Sequence, residues 1–371
     1  MSTKKRILFI NPYPHDKAPS QRLKYEQYYD HLRAAGYEIE WSCFYDDEAW
    51  KVIYKPGHYL GKAMAFVRGY ARRVRDLFRL RNYDVVYIHL WVTPIRPAFF
   101  EWLYCQVTKR MIYDIDDLVF LKEASHIAWW KGMLKSRKKP VYLMKQAKHV
   151  ITCTPFLDEF ARKYNPNTTD ISSTINTDTY VPVNRYANDH KLVLGWSGSH
   201  STVVYLYLLN DVLQELAKER PFKLLVMGST KYHLEGVDYE AVEWTREREI
   251  PTLQQFDIGL YPLHLEDQWV MGKSGLKALQ YMALGIPTVA TGLGANHRVI
   301  QDGVSGYLVK TKEEWLEKLK YLIDNPSERR RIGEAAHERV ESLYSIKMNA
   351  PVYLGIIESV AQSSSSRAPR T

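Results

Sequence analysis

The sequence predicts an α/β protein built as two doubly wound, parallel-sheet (Rossmann-like) domains facing a cleft. Three observations carry this. Short apolar runs alternate with amphipathic helical segments along the whole chain, the pattern of parallel sheets covered by helices on both faces. At 371 residues the chain is long for one hydrophobic core and comfortable for two. The polar, turn-rich stretch Val-Pro-Val-Asn-Arg-Tyr-Ala-Asn-Asp-His at 181–190 separates two series of strands and reads as a linker.

The first series places strands at 6–11, 38–44, 84–89, 110–115, 148–153 and 170–175. After the first strand, Ser20 is a natural helix cap and Gly36 a stop, so one helix is expected between them. Arg22 would lie in its first turn, either as a surface arginine or as a contact for phosphate. From His58 to Arg81 a long amphipathic helix mixes Lys62, Arg68, Arg72, Arg73, Arg75 and Arg79 with apolar side chains. His89 ends the third strand, as a structural histidine or as part of an acceptor site. The run Tyr113-Asp-Ile-Asp-Asp-Leu-Val-Phe120 then sets three carboxylates at a strand end, unfavourable unless water, ligand or cations meet them.

The second series places strands at 191–196, 222–228, 256–261, 287–291 and 306–309. Its first strand runs into Ser197-Gly-Ser-His-Ser-Thr202, where Gly198 permits close backbone approach and Ser201 or Thr202 can cap a helix reaching about Glu219. Met271–Thr291 reads as a glycine-containing loop, a short helix, a stop at Gly285-Ile-Pro287 and a buried strand. Lys273, Lys277 and Gln280 share one face of that helix and Leu276, Leu279 and Ala283 the other. Free N–H groups of its first turn, beside two lysines, would hold a diphosphate; an ordinary surface helix with solvated lysines is the plainer reading. Further helices begin near Pro326 and Ile346, and the tail from Ser363 is too poor in apolar residues to order itself.

No apolar run approaches the roughly 20 residues of a membrane span, and Ile7–Ile10 is too short for a signal-peptide core. Cys43, Cys105 and Cys153 lack metal-ligand spacing and cannot all pair, which suits a reducing, cytosolic setting. Residues 1–185 hold 30 basic and 19 acidic side chains, net +11, whereas the remainder hold 21 and 23, net −2. An anionic surface or acceptor facing the first domain is the physical reading. The segments 58–81 and 128–139 are the two basic, aromatic-bearing stretches suited to an anionic bilayer; solvated helix faces are the alternative. No groove-reading motif for nucleic acid is present, and the loop at 197–202 is not a P-loop.

Gly275-Leu276 and Met282-Ala-Leu-Gly-Ile-Pro287 resemble the donor-site helix of family 4 (group 1) glycosyltransferases, which have the GT-B fold. The resemblance extends over 5–36, 83–120, 148–180, 191–230 and 256–345. Gly272 and Gln280 stand where the family pattern has two glutamates; a subgroup with Gly-Lys-x-Gly-x-Lys and Gln-Tyr-Met-Ala runs looks closer. The resemblance implies an acceptor-side domain at 1–180, the linker 181–190, a donor domain at 191–345, a helix at 346–362 crossing back to the first domain, and a disordered tail at 363–371. It implies a retaining transferase using a nucleotide diphosphate sugar, with no cofactor and no metal. The acceptor would be a glycan, lipid-linked or a cell-surface polysaccharide precursor, reached from the cytoplasmic face of the membrane.

By the same resemblance Lys273, Lys277 and Asp116 are the catalytic candidates. Gly198, Ser199, His200, Gly275, Leu276, Gln280 and Arg22 would bind the donor, and His89 and Asp117 would lie on the acceptor side. In many members a His-Asp pair stands at Asp116-Asp117 and its histidine contacts the donor sugar; here Asp116 replaces it. Asp114-Ile-Asp116 also mimics the Asp-x-Asp metal motif of GT-A enzymes, against which the two-domain pattern argues. A sugar-nucleotide epimerase, a non-catalytic sugar-nucleotide-binding scaffold and a basic membrane- or nucleic-acid-binding module are the competing functions.

Overall fold

The computed structural model describes residues 4–116, 118, 138–186 and 190–362. The chain divides into two units, one formed by residues up to Ser172 together with those from Asn349 on, the other by Ser173–Met348. Each is an α/β layer structure.

The first unit holds β1 (Lys5–Asn11), β2 (Tyr37–Cys43), β3 (Val85–His89), β4 (Met111–Asp114), β5 (His149–Thr152) and β6 (Thr168–Asp170). They form one parallel sheet in the order β2-β1-β3-β4-β5-β6. The second unit holds β7 (Val193–Ser197), β8 (Lys223–Met227), β9 (Tyr239–Val242), β10 (Ile258–Tyr261), β11 (Thr288–Thr291) and β12 (Tyr307–Val309), again parallel, in the order β12-β11-β10-β7-β8-β9. Winding direction reverses between β1 and β3 and between β7 and β10. Outside the carboxyl ends of such pairs a doubly wound sheet opens a crevice.

Several local expectations are corrected. β9 is an edge strand whose Tyr-Glu-Ala-Val sequence is only half covered, so it lacks the apolar run that marks buried strands. The ladder expected at 170–175 is paired at 168–170, and Ile175 instead bridges to Ser345. The single helix from Ser20 to Gly36 is interrupted, as Pro19–Arg22, a 3-10 turn at Glu26–Tyr28 and Tyr29–Ala34. The cap residue is Ala18, with Pro19 in the first turn, and Ser20 lies inside. Gln21 and Glu26 bind the backbone of the preceding loop instead: Tyr13 N donates to Gln21 Oε1 at 3.0 Å and Asp16 N to Glu26 Oε2 at 2.8 Å.

Tyr59–Arg79 is one continuous helix that buries Ala65, Gly69, Arg73 and Asp76. Arg73, counted among its surface cations, is a core residue. Its guanidinium donates to the carbonyls of Val92 (2.7 Å), Ser42 (3.0 Å) and Asn11 (3.0 Å) and lies 3.3 Å from Asp76. The stretch expected as a linker packs along the second unit, with Arg185 and His190 on Asp257 at 3.3 and 3.0 Å and Tyr186 OH donating to Gly285 O at 3.0 Å. In the helix Ile346–Gln362, Tyr353 belongs to the first unit, stacked on Tyr28 at 4.3 Å with its hydroxyl 3.3 Å from Tyr87 OH. The tail 363–371 lies outside the described residues.

Candidate active site

The switch point of the second unit lies between β7, ending in Trp196-Ser197, and β10, ending in Tyr261. After β10 a 3-10 turn at Gln268–Gly272 leads through Lys273 and Gly275 into the helix Leu276–Ala283. Gly275 has φ +78°, which glycine adopts without strain, and no side chain caps the helix start. The first-turn N–H groups are therefore open to an anion.

This helix is not the amphipathic surface element its sequence suggests. Ala278 through Ala283 are all buried, because the helix is sandwiched within the second core. Tyr281 ties it to β7: its hydroxyl accepts from Ser197 N at 2.8 Å and lies 2.8 Å from Ser197 Oγ.

The ammonium of Lys277 sits over the ring of Trp196 at 4.5 Å and near that of Tyr261 at 5.7 Å. Lys273 lies ahead of the helix, its ammonium 5.6 Å from the Tyr205 ring. No carboxylate pairs with either lysine among the described residues. Burial, reinforced by the Lys273 charge, lowers the Lys277 pKa to about 7. The buried indole N–H of Trp196 also has no acceptor among the described residues. A half-buried cation that titrates near neutrality, a second cation and an open helix end could together hold a polyanion.

The loop after β7 supplies the facing wall. Gly198 N donates to Met227 O at 2.9 Å, and a Cβ at Gly228 (φ +97°) would fall 1.9 Å from Gly198 O, so the two loops touch backbone to backbone. Thr202 closes the loop rather than capping an α-helix: its Oγ1 accepts from Ser199 N at 2.9 Å, and Val203–Leu209 is a 3-10 helix, with α-helix only from Asn210 to Glu219. Ser199 and His200 are exposed, with His200 Nδ1 3.3 Å from Ser229 Oγ.

Gln280, expected to face a donor hydroxyl, is buried with its amide donating to Tyr180 OH (2.9 Å) and Glu249 Oε1 (2.7 Å). Glu249 also accepts from Tyr180 OH (2.5 Å) and Trp244 Nε1 (3.0 Å). A carboxylate thus stands beside Gln280, contributed by a residue 31 positions away. Leu276 is half-buried against the core and contributes packing.

In the first unit the strand-end carboxylates are divided. Asp114 is fully buried, ion-paired with Lys24, and accepts from Tyr87 OH at 2.6 Å. Burial alone would raise its pKa; the Lys24 charge and the contacts with His89 together outweigh this and hold it below the usual carboxylate value. Asp114 and Asp116 therefore do not form an open Asp-x-Asp pair. The His89 ring is fully buried between them, Nδ1 3.5 Å from Asp114 and Nε2 3.9 Å from Asp116, while Asp116 keeps 13% exposure. Cys153 Sγ lies 3.4 Å from Asp116 O, and burial pushes that thiol's pKa up. Arg22 is half-buried. Asp117 and residues 128–137 lie outside the described residues. Lys139, counted in the second basic segment, is buried, 3.2 Å from Glu101 and donating to Thr93 O (3.0 Å) and Ile95 O (2.6 Å).

Sequence reasoning passed over Lys24, Glu249, Trp196 and Tyr281. Only Trp196, an aromatic at the end of an apolar strand beside a glycine loop, carried a local signal. The others act through partners distant in sequence.

Residues 191–325 match the family model of the group 1 glycosyl transferases. An 86-residue stretch is 33% identical to trehalose synthase of Pyrococcus horikoshii, covering 23% of this chain and 21% of that protein. The match thus spans about a fifth of the curated relative's length. Among solved structures, sucrose-phosphate synthase from Thermosynechococcus elongatus superposes with TM-score 0.69 at 13% identity, over 97% of this chain and 100% of that one. HepE of Anabaena, solved with UDP and glucose, superposes with TM-score 0.67 at 13% identity, over 96% and 100%. Two parallel six-stranded sheets flanked by helices make this the α/β, two-domain GT-B fold.

Proposed function

We propose that this chain is a retaining glycosyltransferase that moves a sugar from a nucleoside diphosphate sugar to a hydroxyl of a glycan acceptor. The single observation that carries the reading is Lys277: a half-buried side chain whose ammonium lies against Trp196, beside Lys273 and an open helix end, with no protein carboxylate to balance it among the described residues. A diphosphate supplies the missing charge. The group 1 match over 191–325 supports it, and the solved HepE complex makes UDP the first nucleotide to test.

In this mechanism Lys277, Lys273 and the first-turn N–H groups stabilise negative charge as the bond between the anomeric carbon and the phosphate oxygen breaks. The acceptor oxygen attacks from the same face and forms the new bond to that carbon. Its proton passes to an oxygen of the departing diphosphate. Asp116, at the open end of the first unit's carboxylate–imidazole cluster, accepts hydrogen bonds from sugar hydroxyls. Gln280 acts as a positioning residue, its buried amide held by Glu249 and Tyr180 behind the helix. Lysine charge and helix dipole do the work for which other transferases use a metal. The acceptor is a lipid-linked or cell-surface polysaccharide precursor, met on the cytoplasmic side of the membrane.

A second reading is motivated by Gly272 and by the bonding of Gln280 to Glu249: a subunit that binds the nucleotide without transfer. Nucleotide release from a panel of UDP-, GDP-, dTDP- and ADP-sugars, followed with and without glycan acceptors, separates them. Acceptor-dependent release that is lost in Lys277→Ala supports transfer. Binding with no release under any pairing supports the scaffold.

A further inference from the structure

The helix Tyr59–Arg79 has a face that the fold leaves uncovered. Leu60, Met64, Val67, Ala71, Val74 and Phe78 recur at spacings of four and three, so they form one straight stripe about 27 Å long at 1.5 Å per residue. The stripe points away from the buried face of Ala65, Gly69, Arg73 and Asp76. Its side chains are open to solvent: Leu60 is 89% exposed, Phe78 85%, Val67 64% and Met64 55%. Scattered exposed apolar residues are ordinary, but a continuous apolar stripe along one element marks an interaction surface.

Beside the stripe runs a second row, Arg68, Arg72, Arg75 and Arg79, at the same helical spacing. Asp46 bonds Arg68 and Arg72, Glu40 bonds Arg79 at 2.8 Å, and Asp76 lies 3.6 Å from Arg79, so three carboxylates face four guanidiniums and the row keeps a net positive charge. Arg75 is 63% exposed, 4.0 Å from Asp76.

We infer that this helix docks flat on an anionic bilayer, with the apolar stripe in the headgroup–acyl boundary and the arginine row on acidic headgroups. An interfacial helix has this arrangement of apolar stripe and cationic flank. Four-three spacing also fits a seam with a second copy of the same helix. Charge decides between them. The helix's only acid, Asp76, is buried, so the helix of a second copy brings no exposed carboxylate of its own, and antiparallel pairing sets arginine row against arginine row. The inference does not rest on the donor site in the other unit.

The test is sedimentation of the full chain with vesicles of phosphatidylcholine alone or with 30 mol% phosphatidylglycerol. Binding to the acidic vesicles only, weakened by 0.5 M NaCl and at least tenfold weaker in Leu60→Ser/Phe78→Ser and in Arg75→Glu, is expected. Both variants change exposed positions, so the melting temperature should match the wild type. Failure to bind acidic vesicles, equal binding to neutral ones, or equal binding by the double variant overturns the inference. So do concentration-dependent dimers that the double variant abolishes, which would assign the stripe to a second copy.

Discussion

Burial and the Lys273 charge leave the Lys277 ammonium with a pKa of about 7, against about 10.4 for a free lysine. Below pH 7 both folded and unfolded chains hold this proton. Between pH 7 and about 10.4 the unfolded chain binds more protons, so Lys277 makes the ligand-free fold more stable as pH rises through that window. Nucleotide affinity runs the opposite way. A diphosphate at the ammonium restores its charge, so binding above pH 7 takes up a proton and affinity falls by up to about tenfold per pH unit. Titration calorimetry at pH 8 in two buffers of different ionisation enthalpy should report uptake of close to one proton; a buffer-independent heat would remove the diphosphate from Lys277. In the first unit, Asp116→Asn should lower transfer while leaving nucleoside diphosphate affinity unchanged, because the residue lies at the sheet end of the other unit. Loss of nucleotide affinity together with a lower melting temperature would make Asp116 structural. The lysines were legible from the motif around Gly275. The pairings were not: Lys24 meets Asp114 across 90 positions and Glu249 meets Gln280 across 31, and no local spacing announces contacts that the fold alone creates.

Among elements, those with the strongest local pattern were legible and those governed by tertiary hydrogen bonds were not. The buried strands β1, β3, β7 and β8 are apolar runs bounded by turn residues, and their positions agree with the sequence reading to within one or two residues. β9 escaped because an edge strand is covered on fewer sides and needs no apolar run. The helix after β1 breaks because Gln21 and Glu26 bind the 13–16 loop, a choice that helical periodicity does not register. Val203–Leu209 looks helical in sequence and is helical, but in the tighter 3-10 form. The loops after β7 and β8 offer the sharpest test at this scale. Gly228→Ala would set a Cβ 1.9 Å from Gly198 O at φ +97°, where backbone strain alone is about 1–3 kcal/mol. A drop in melting temperature of about 2–4 °C per kcal/mol lost is expected, together with weaker nucleotide binding as the 198–202 loop is displaced. Wild-type stability in this variant would contradict the close packing of the two loops.

Over the whole molecule, charge and fold divide between the two units. The first unit carries the basic excess and the exposed, arginine-flanked stripe; the second carries two cations gathered at one switch point. The α/β, doubly wound architecture was legible from alternation alone. The 181–190 stretch, polar and turn-rich in sequence, uses Arg185, Tyr186 and His190 to pack on the second unit. The measurement that tests the central claim most directly is isothermal titration of the full chain with UDP, GDP, dTDP and ADP at pH 6.5, for the wild type and Lys277→Ala. One diphosphate should bind the wild type, and removal of the ammonium should weaken it by on the order of 10²-fold, the loss typical of one preorganised charge partner, with melting temperature preserved. Equal affinity in the two proteins, or no binding of any diphosphate to the wild type, would contradict the assignment of this site.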